Sequence, residues 1–307
     1  MEQVGSRGAA TWFMATARQR VSGLLDEGSF IEFLDPSQRI ESPHLRLFDL
    51  PAAFDDGVII GRGSLDGTPV LVAAQEGQFM GGTFAEVSGA KIVGLLRAAR
   101  DHKELPHTVL LLLDSGGVRL QEANAGELAV AEVMRAIAQA RHAGVTVIAA
   151  VGGKAGAFGG AGLTTGMCSR VVVSEQGRIG VTGPEVIETN KGVEEFDSAD
   201  KALVWSVVGG KNRCLIGGAD AFAKATIDGF REAIRSVMGT APEFDLKTLQ
   251  AEQKRLRARV QKFAGCDDAI SMWNQLGVAR PEAVRDMDDD AFLELAHGMK
   301  ETAHDAR

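Results

Sequence analysis

"LLLLDSGGVRLQE", residues 110–122, decides how this chain is read. Four leucines in a row read as a strand buried on both faces. The run stops at Asp114-Ser115-Gly116-Gly117, and helical periodicity resumes only after Arg119. Adjacent glycines allow backbone dihedrals that other residues avoid, and they let a ligand come close to the main chain. The helix that follows leaves its first amides unpaired and adds the positive end of its dipole.

The pattern recurs downstream. "GVTVIAAV" (144–151) is a second buried strand, and "GGKAGAFGGAG" (152–162) is a second glycine-rich turn ahead of a helix. Two such turns side by side can aim two amides at one oxygen atom, which is an oxyanion hole. Other glycine motifs fit less well. Gly153-Lys154 is followed by Ala155, so the phosphate-loop pattern fails, and "GKAGAFGG" lacks the GxG start of a dinucleotide fingerprint. Ser115 lacks the glycine two positions before it that a nucleophile elbow requires. Tight packing is the competing reading of each glycine loop, and finding two at equivalent strand ends weighs against it.

The surrounding segments complete an α/β pattern. Residues 12–25 read as an amphipathic helix and "SFIEFL" as a short strand. Residues 57–75 read as a hairpin whose turn is supplied by Asp66-Gly67. "GQFMGGTF" (77–84) is a glycine-rich loop. Residues 86–102 have helical period, with Ile92, Leu95, Leu96 and Ala99 on one face. The helix of 122–142 shows Leu128, Ala131, Met134, Ile137 and Ala138 as its apolar side. "SRVVVSE" (169–175) is a third buried strand, and 177–188 reads as turn and strand with a break at Gly183-Pro184. Residues 1–242 form one domain in this reading. Residues 243–307 form a charged helical extension that packs on it or on a partner. The first extension helix is expected to be solvated, with one packed stripe. "DMDDD" (286–290) is expected to cap the last helix.

Bulk properties narrow the function. A net charge of -8 argues against nucleic acid as a partner. Cys168, Cys214 and Cys266 have no metal-ligand or disulfide spacing and read as reduced thiols of a cytoplasmic protein. The six histidines include no HxH or HExxH pair, so no metal is expected. No leader peptide and no run of about 18 apolar residues is seen, so no membrane partner is expected. Tyrosine is absent, so a phenolic acid would have to come from another chain.

Five segments then combine. "RVSGLLDEGSFIEF" (20–33), "FMGGTFAEVSGAKI" (79–92), "DSGGVRLQE" (114–122), the 152–162 loop and "GRIGVTGPEVIE" (177–188) resemble, in order and spacing, the biotin-dependent carboxyltransferases. The likeness is strongest to the β-type domain of acetyl-CoA carboxylase and spans residues 18–240. It implies a crotonase-like fold of repeated ββα units. The zinc ribbon of the bacterial β subunit is missing, and Met299-Lys300 lacks the flanking residues of a biotin-attachment site. Length, the "KAGAFGGAG" loop and the charged tail are similar to the β subunits of biotin-independent malonate decarboxylases.

That likeness implies a heteromeric complex. An α subunit loads malonate onto a small acyl carrier (δ) protein. The carrier's thiol belongs to a phosphoribosyl-dephospho-CoA prosthetic group. The β and γ subunits then release carbon dioxide and leave an acetyl thioester. No cofactor is held covalently by this chain, and biotin is not expected. By motif match, Gly116, Gly117, Gly156 and Ala157 supply the amides, with Gly159 and Gly160 as the register alternative. Arg119 matches the arginine of the SGGAR motif, either binding substrate or pairing with Glu122. Two rival readings remain: a biotin-dependent carboxyltransferase subunit, and a scaffold that docks the carrier while γ does the chemistry. A ClpP-like serine protease is more distant, since the serine motif is absent.

Overall fold

A computed structural model describes residues 11–49, 56–239 and 243–302. One seven-stranded sheet organises the chain, with its strands in sequence order. They are β1 (Ile31–Phe33), β2 (Val58–Leu65), β3 (Thr68–Gln75), β4 (Thr108–Leu113), β5 (Thr146–Val151), β6 (Arg170–Val173) and β7 (Ala221–Phe222). β1 to β3 are antiparallel neighbours, and β3 to β7 run parallel. Parallel neighbours need crossovers, and here these are mostly helical.

Eleven α-helices lie among the described residues. They are α1 (Ala17–Leu24), α2 (Glu86–Asp101), α3 (Asn124–His142), α4 (Gly160–Met167), α5 (Pro184–Lys191), α6 (Lys201–Val208), α7 (Gly210–Leu215), α8 (Ile227–Val237), α9 (Leu246–Lys262), α10 (Ala269–Gln275) and α11 (Asp289–Thr302).

The β4 leucines are buried because the sheet has a core on each side. Val109, Leu111 and Leu113 pack into the layer of α2, α3 and α4. Leu110 and Leu112 pack into the opposite layer, with α1 and α8. Alternation along a strand sends successive side chains to opposite faces, so a run with both faces covered is apolar throughout. The α1–α8 layer is closed by Trp12 stacked on Phe230, ring centroids 3.9 Å apart. The β2–β3 hairpin turns at Asp66-Gly67, both at positive φ.

Two local expectations are corrected. α3 buries Val130, Val133, Ile137 and Ala140, whereas Leu128 is exposed. Packing on the sheet selected the β-branched stripe next to the leucine. Residues 177–188 form no named strand. Ile179 makes one isolated bridge, and Pro184 opens α5, where its fixed φ and missing N–H suit a first helical position. On α9 no side chain is fully buried, and the stripe that packs is polar: Thr248, Glu252, Arg255 and Arg259 are half-buried, and Arg259 donates to Ile216 O at 3.0 Å.

The domain boundary expected at 242/243 adjoins residues 240–242, outside the described residues. In the tail, Trp273, Val284 and Phe292 of the α10–α11 region pack with Leu215 and Phe222. Asp288 accepts the Ala291 N–H at 2.8 Å, and Asp289 and Asp290 stand in the first turn of α11. No helix among the described residues is long and apolar enough to cross a membrane.

Candidate active site

β4 and β5 pair in register up to Leu113 and Val151, so the turns after them emerge at the same edge of the sheet. Pairing then continues through the single bridges Ser115 with Ala157 and Ala157 with Ile179. The Ser115 N–H donates to Gly156 O at 2.7 Å, and the Phe158 N–H donates to Ser115 O at 3.0 Å. Beyond these bonds the two turns touch. A Cβ on Gly159 would lie 3.5 Å from the Gly117 Cα, and one on Gly117 would lie 3.4 Å from the Phe158 carbonyl. Gly117 has φ +129° and Gly159 φ +53°, so a side chain at either would be strained although there is room for its Cβ.

The amides of the two turns differ in what they are bonded to. The Gly116 N–H donates to Gly81 O at 2.9 Å, and the Ala157 N–H donates to Arg178 O at 2.8 Å. Gly156 donates to Gly153 O and Gly159 to Val181 O, at 3.2 and 3.1 Å. Among the described residues the Gly117 N–H donates to a side chain rather than to a carbonyl, the Ser115 hydroxyl at 3.2 Å. Gly160 is the first residue of α4, and its N–H has no partner among the described residues. The fold thus brings Gly117 and Gly159 together, and Gly160 follows Gly159 at the start of α4. It engages the amides of Gly116, Gly156 and Ala157 in the chain's own turns.

Arg119 lies in a buried network. Its Nη1 meets Glu122 Oε1 at 3.0 Å, and its Nη2 donates to Asp56 O at 3.2 Å. The guanidinium also stands over the Phe79 ring. Glu122 accepts the Glu86 N–H at 2.9 Å. Burial opposes ionisation of Glu122, but the Glu86 N–H, the Ser42 hydroxyl and Arg119 outweigh it and hold the carboxyl below its ordinary range.

A third segment, whose role the sequence reading missed, completes the wall. Met80, Gly81 and Gly82 all have positive φ and form a left-handed turn that presents the Gly81 carbonyl to Gly116. A Cβ on Gly82 would overlap the Asp114 carbonyl, so the turn can lie against the end of β4 only as glycine. The signal was present in "FMGGTF", but nothing local says which strand end it lies against.

The rim is apolar and open. Leu120 is 79% exposed and Val181 65%, and Leu163 and Val186 are exposed too. Grooves of about 390 and 680 Å³ flank α2, and neither is lined by residues of the glycine turns. Among the described residues, no group of three or more His, Cys, Asp or Glu could hold a metal ion.

Comparison with known proteins agrees with this geometry. Residues 14–259 match the carboxyl transferase domain. The malonyl-S-ACP:biotin-protein carboxyltransferase MADC of Malonomonas rubra is 37% identical over 305 residues, covering 93% of this chain and 95% of that protein. An acetyl-coenzyme A carboxylase carboxyl transferase subunit beta from Fusobacterium nucleatum is 32% identical, over 58% of this chain and 59% of its own length. Among solved structures, a chain of a Pseudomonas malonate decarboxylase hetero-tetramer in complex with malonate is 40% identical with a TM-score of 0.75, over 85% of this chain and 95% of that one. With the family match covering most of the chain and its crotonase-like sheet ending in paired glycine turns, this protein belongs to the carboxyl transferase domain family.

Proposed function

We propose that this chain is the β subunit of a malonate decarboxylase. With a crotonase-like γ subunit it converts the malonyl thioester of an acyl carrier protein to the acetyl thioester and carbon dioxide. The observation that carries the reading is the Gly160 N–H, unpaired among the described residues at the start of α4 and next to the Gly117 turn.

The chemistry needs such a place. The bond between the carboxylate carbon and the methylene carbon breaks, and its electron pair moves into an enolate whose charge rests on the thioester oxygen. The amides of Gly117 and Gly160 would donate to that oxygen, aided by the α4 dipole. They stabilise charge that develops only as the bond breaks, which lowers the barrier. A proton then joins the methylene carbon to give the acetyl group. This chain has no tyrosine, and its exposed apolar rim suits a covering subunit, so the proton donor is assigned to γ or to the interface. The carrier brings its phosphoribosyl-dephospho-CoA thiol as a substrate arm. An α subunit charges it, and the complex works in the cytoplasm. Arg119 is read as bracing the turn through Glu122.

The name of the Malonomonas relative favours a second reading, in which a biotin protein captures the carbon dioxide. Bond cleavage and enolate are the same, and only the acceptor differs. The chain co-expressed with its γ and carrier partners should release labelled carbon dioxide from malonyl-S-carrier whether or not avidin is present. Carboxyl exchange that depends on biotin sinks the decarboxylase reading. Turnover that survives a bulky residue at Gly117, with carrier binding intact, leaves only the scaffold reading.

A further inference from the structure

We infer that Asp114 is the positioning residue of the second glycine turn, with Arg20 holding its charge in place. The inference rests on the decarboxylase reading for its effect on turnover, but not for its structural content. The Asp114 side chain is almost wholly buried at the end of β4. Its Oδ1 accepts the Ala155 N–H at 2.7 Å, inside the loop that leads to Gly160. Its Oδ2 meets Arg20 Nη2 at 2.8 Å, with both side chains at 5% exposure or less. Arg20 is itself fixed, donating through Nε to Trp12 O at 3.1 Å and standing over the Trp12 ring.

Two glycines are explained by this one carboxylate. A Cβ on Gly77 would lie 2.6 Å from Asp114 Oδ2, and a Cβ on Gly153 would overlap the carboxylate. Neither glycine has positive φ, so close approach rather than backbone conformation excludes a side chain there. The carboxylate therefore sits where the segments after β3, β4 and β5 and the start of the described chain converge. It immediately precedes Ser115 in the first turn and holds Ala155 in the second, so it sets the distance between them.

A buried ion pair is a weak way to gain stability, since apolar residues of the same volume often do as well. It is a strong way to fix one geometry, because a charged acceptor binds an amide tightly. Asp114 is too buried to touch substrate, so it acts through Ala155 and the turn beyond.

The test compares two double variants in the assembled complex with its partner subunits and carrier. Asp114→Asn with Arg20→Gln removes both charges but leaves an amide oxygen able to accept the Ala155 N–H. Asp114→Ala with Arg20→Gln removes the acceptor too. We expect kcat of the alanine pair to lie about 10- to 100-fold below that of the asparagine pair, as small misplacements of catalytic groups do. KM should differ by less than about twofold, because ground-state binding is not what Asp114 sets. Amide hydrogen exchange across residues 152–160 should be faster in the alanine pair.

Equal kcat and equal exchange in the two pairs overturn the inference, as does a change confined to KM. Should the alanine pair fail to assemble, Asp114→Ser with Arg20→Gln replaces it, since the shorter hydroxyl cannot span to Ala155. If the unaltered complex releases no carbon dioxide, the decarboxylase reading fails, and the exchange comparison still decides the role of Asp114.

Discussion

The two glycine turns look alike in sequence and are built differently. The first, 114–117, is short, and its Gly116 amide is bonded to the Gly81 carbonyl. Its position follows from the strand before it and from the Arg119–Glu122 pair after it. The second, 152–160, is long and is held partway by Asp114 on Ala155 and by the Arg178 carbonyl on Ala157. It then opens into a helix whose first amide has no partner among the described residues. The contrast shows that glycine content does not say where an unbonded amide will be. That depends on which carbonyls the neighbouring segments bring to the turn.

Five substitutions put pressure on the contrast, beginning with the brace of the first turn. Arg119→Met leaves the Glu122 carboxylate buried without its cation and should cost about 3–5 kcal/mol of stability, read by urea unfolding. A loss below about 1 kcal/mol, the scale of an exposed pair, would show that the first turn does not rely on this pair. Glu122 also gives a pH signature. Its folded-state pKa is depressed, so its contribution is complete above its ordinary value of 4.5 and is lost as pH falls through the lower folded value. Glu122→Gln should flatten that acid limb.

Gly117→Val comes next. A valine is strained at a φ of +129°, and the shift of the amide that relieves this strain should reduce kcat by about 10²–10³, as loss of one oxyanion donor does. Carbon dioxide release by the reassembled complex measures it, with circular dichroism to verify the fold. Gly160→Ala tests the second turn. The added methyl would run into the Val130 side chain, an overpacking cost of about 1–3 kcal/mol. Adding Val130→Ala should recover most of that stability, and failure to do so would mean that α4 is not seated against α3 as described.

The smallest effect is expected far from both turns. Asp26 is held well below its ordinary value, near 3.8, by the Ser64 hydroxyl, the Gly67 N–H and Arg231 at the β2–β3 hairpin. Its stabilising contribution is present above that ordinary value and fades as pH falls. Asp26→Asn should lower the urea midpoint at neutral pH and remove that part of the acid dependence while sparing kcat. A drop in kcat would mean that the hairpin communicates with the glycine turns.

Much of the fold was legible because its strands are buried on both faces. The four leucines were read as the end of β4, β5 was read to within two residues, and the α2 face from Ile92 to Ala99 was read as it packs. Periodicity failed where two faces compete, as at Leu128, and where a single bridge stands in for a strand, as at Ile179. α9 shows the reverse case. Leu246, Leu249, Leu256 and Val260 share one side in sequence, yet that side is exposed. The site was half legible. The glycines were visible, but amide engagement depends on partners such as Gly81 and Arg178, which no local pattern names. Asp114 was visible as part of its motif. Its partner, Arg20, comes from α1, far away in sequence.

The stacking of Trp12 on Phe230 bears on how the chain is made. Because the strands sit in the sheet in the order in which they are synthesised, each can add to its predecessor as it leaves the ribosome. The layer on the α1 side cannot close that way, because Ile227, Phe230 and Ile234 belong to α8. Until α8 emerges, Leu110, Leu112 and Ile148 have an incomplete cover. A chain stalled before α8 is therefore a natural client for a chaperone that recognises apolar strands.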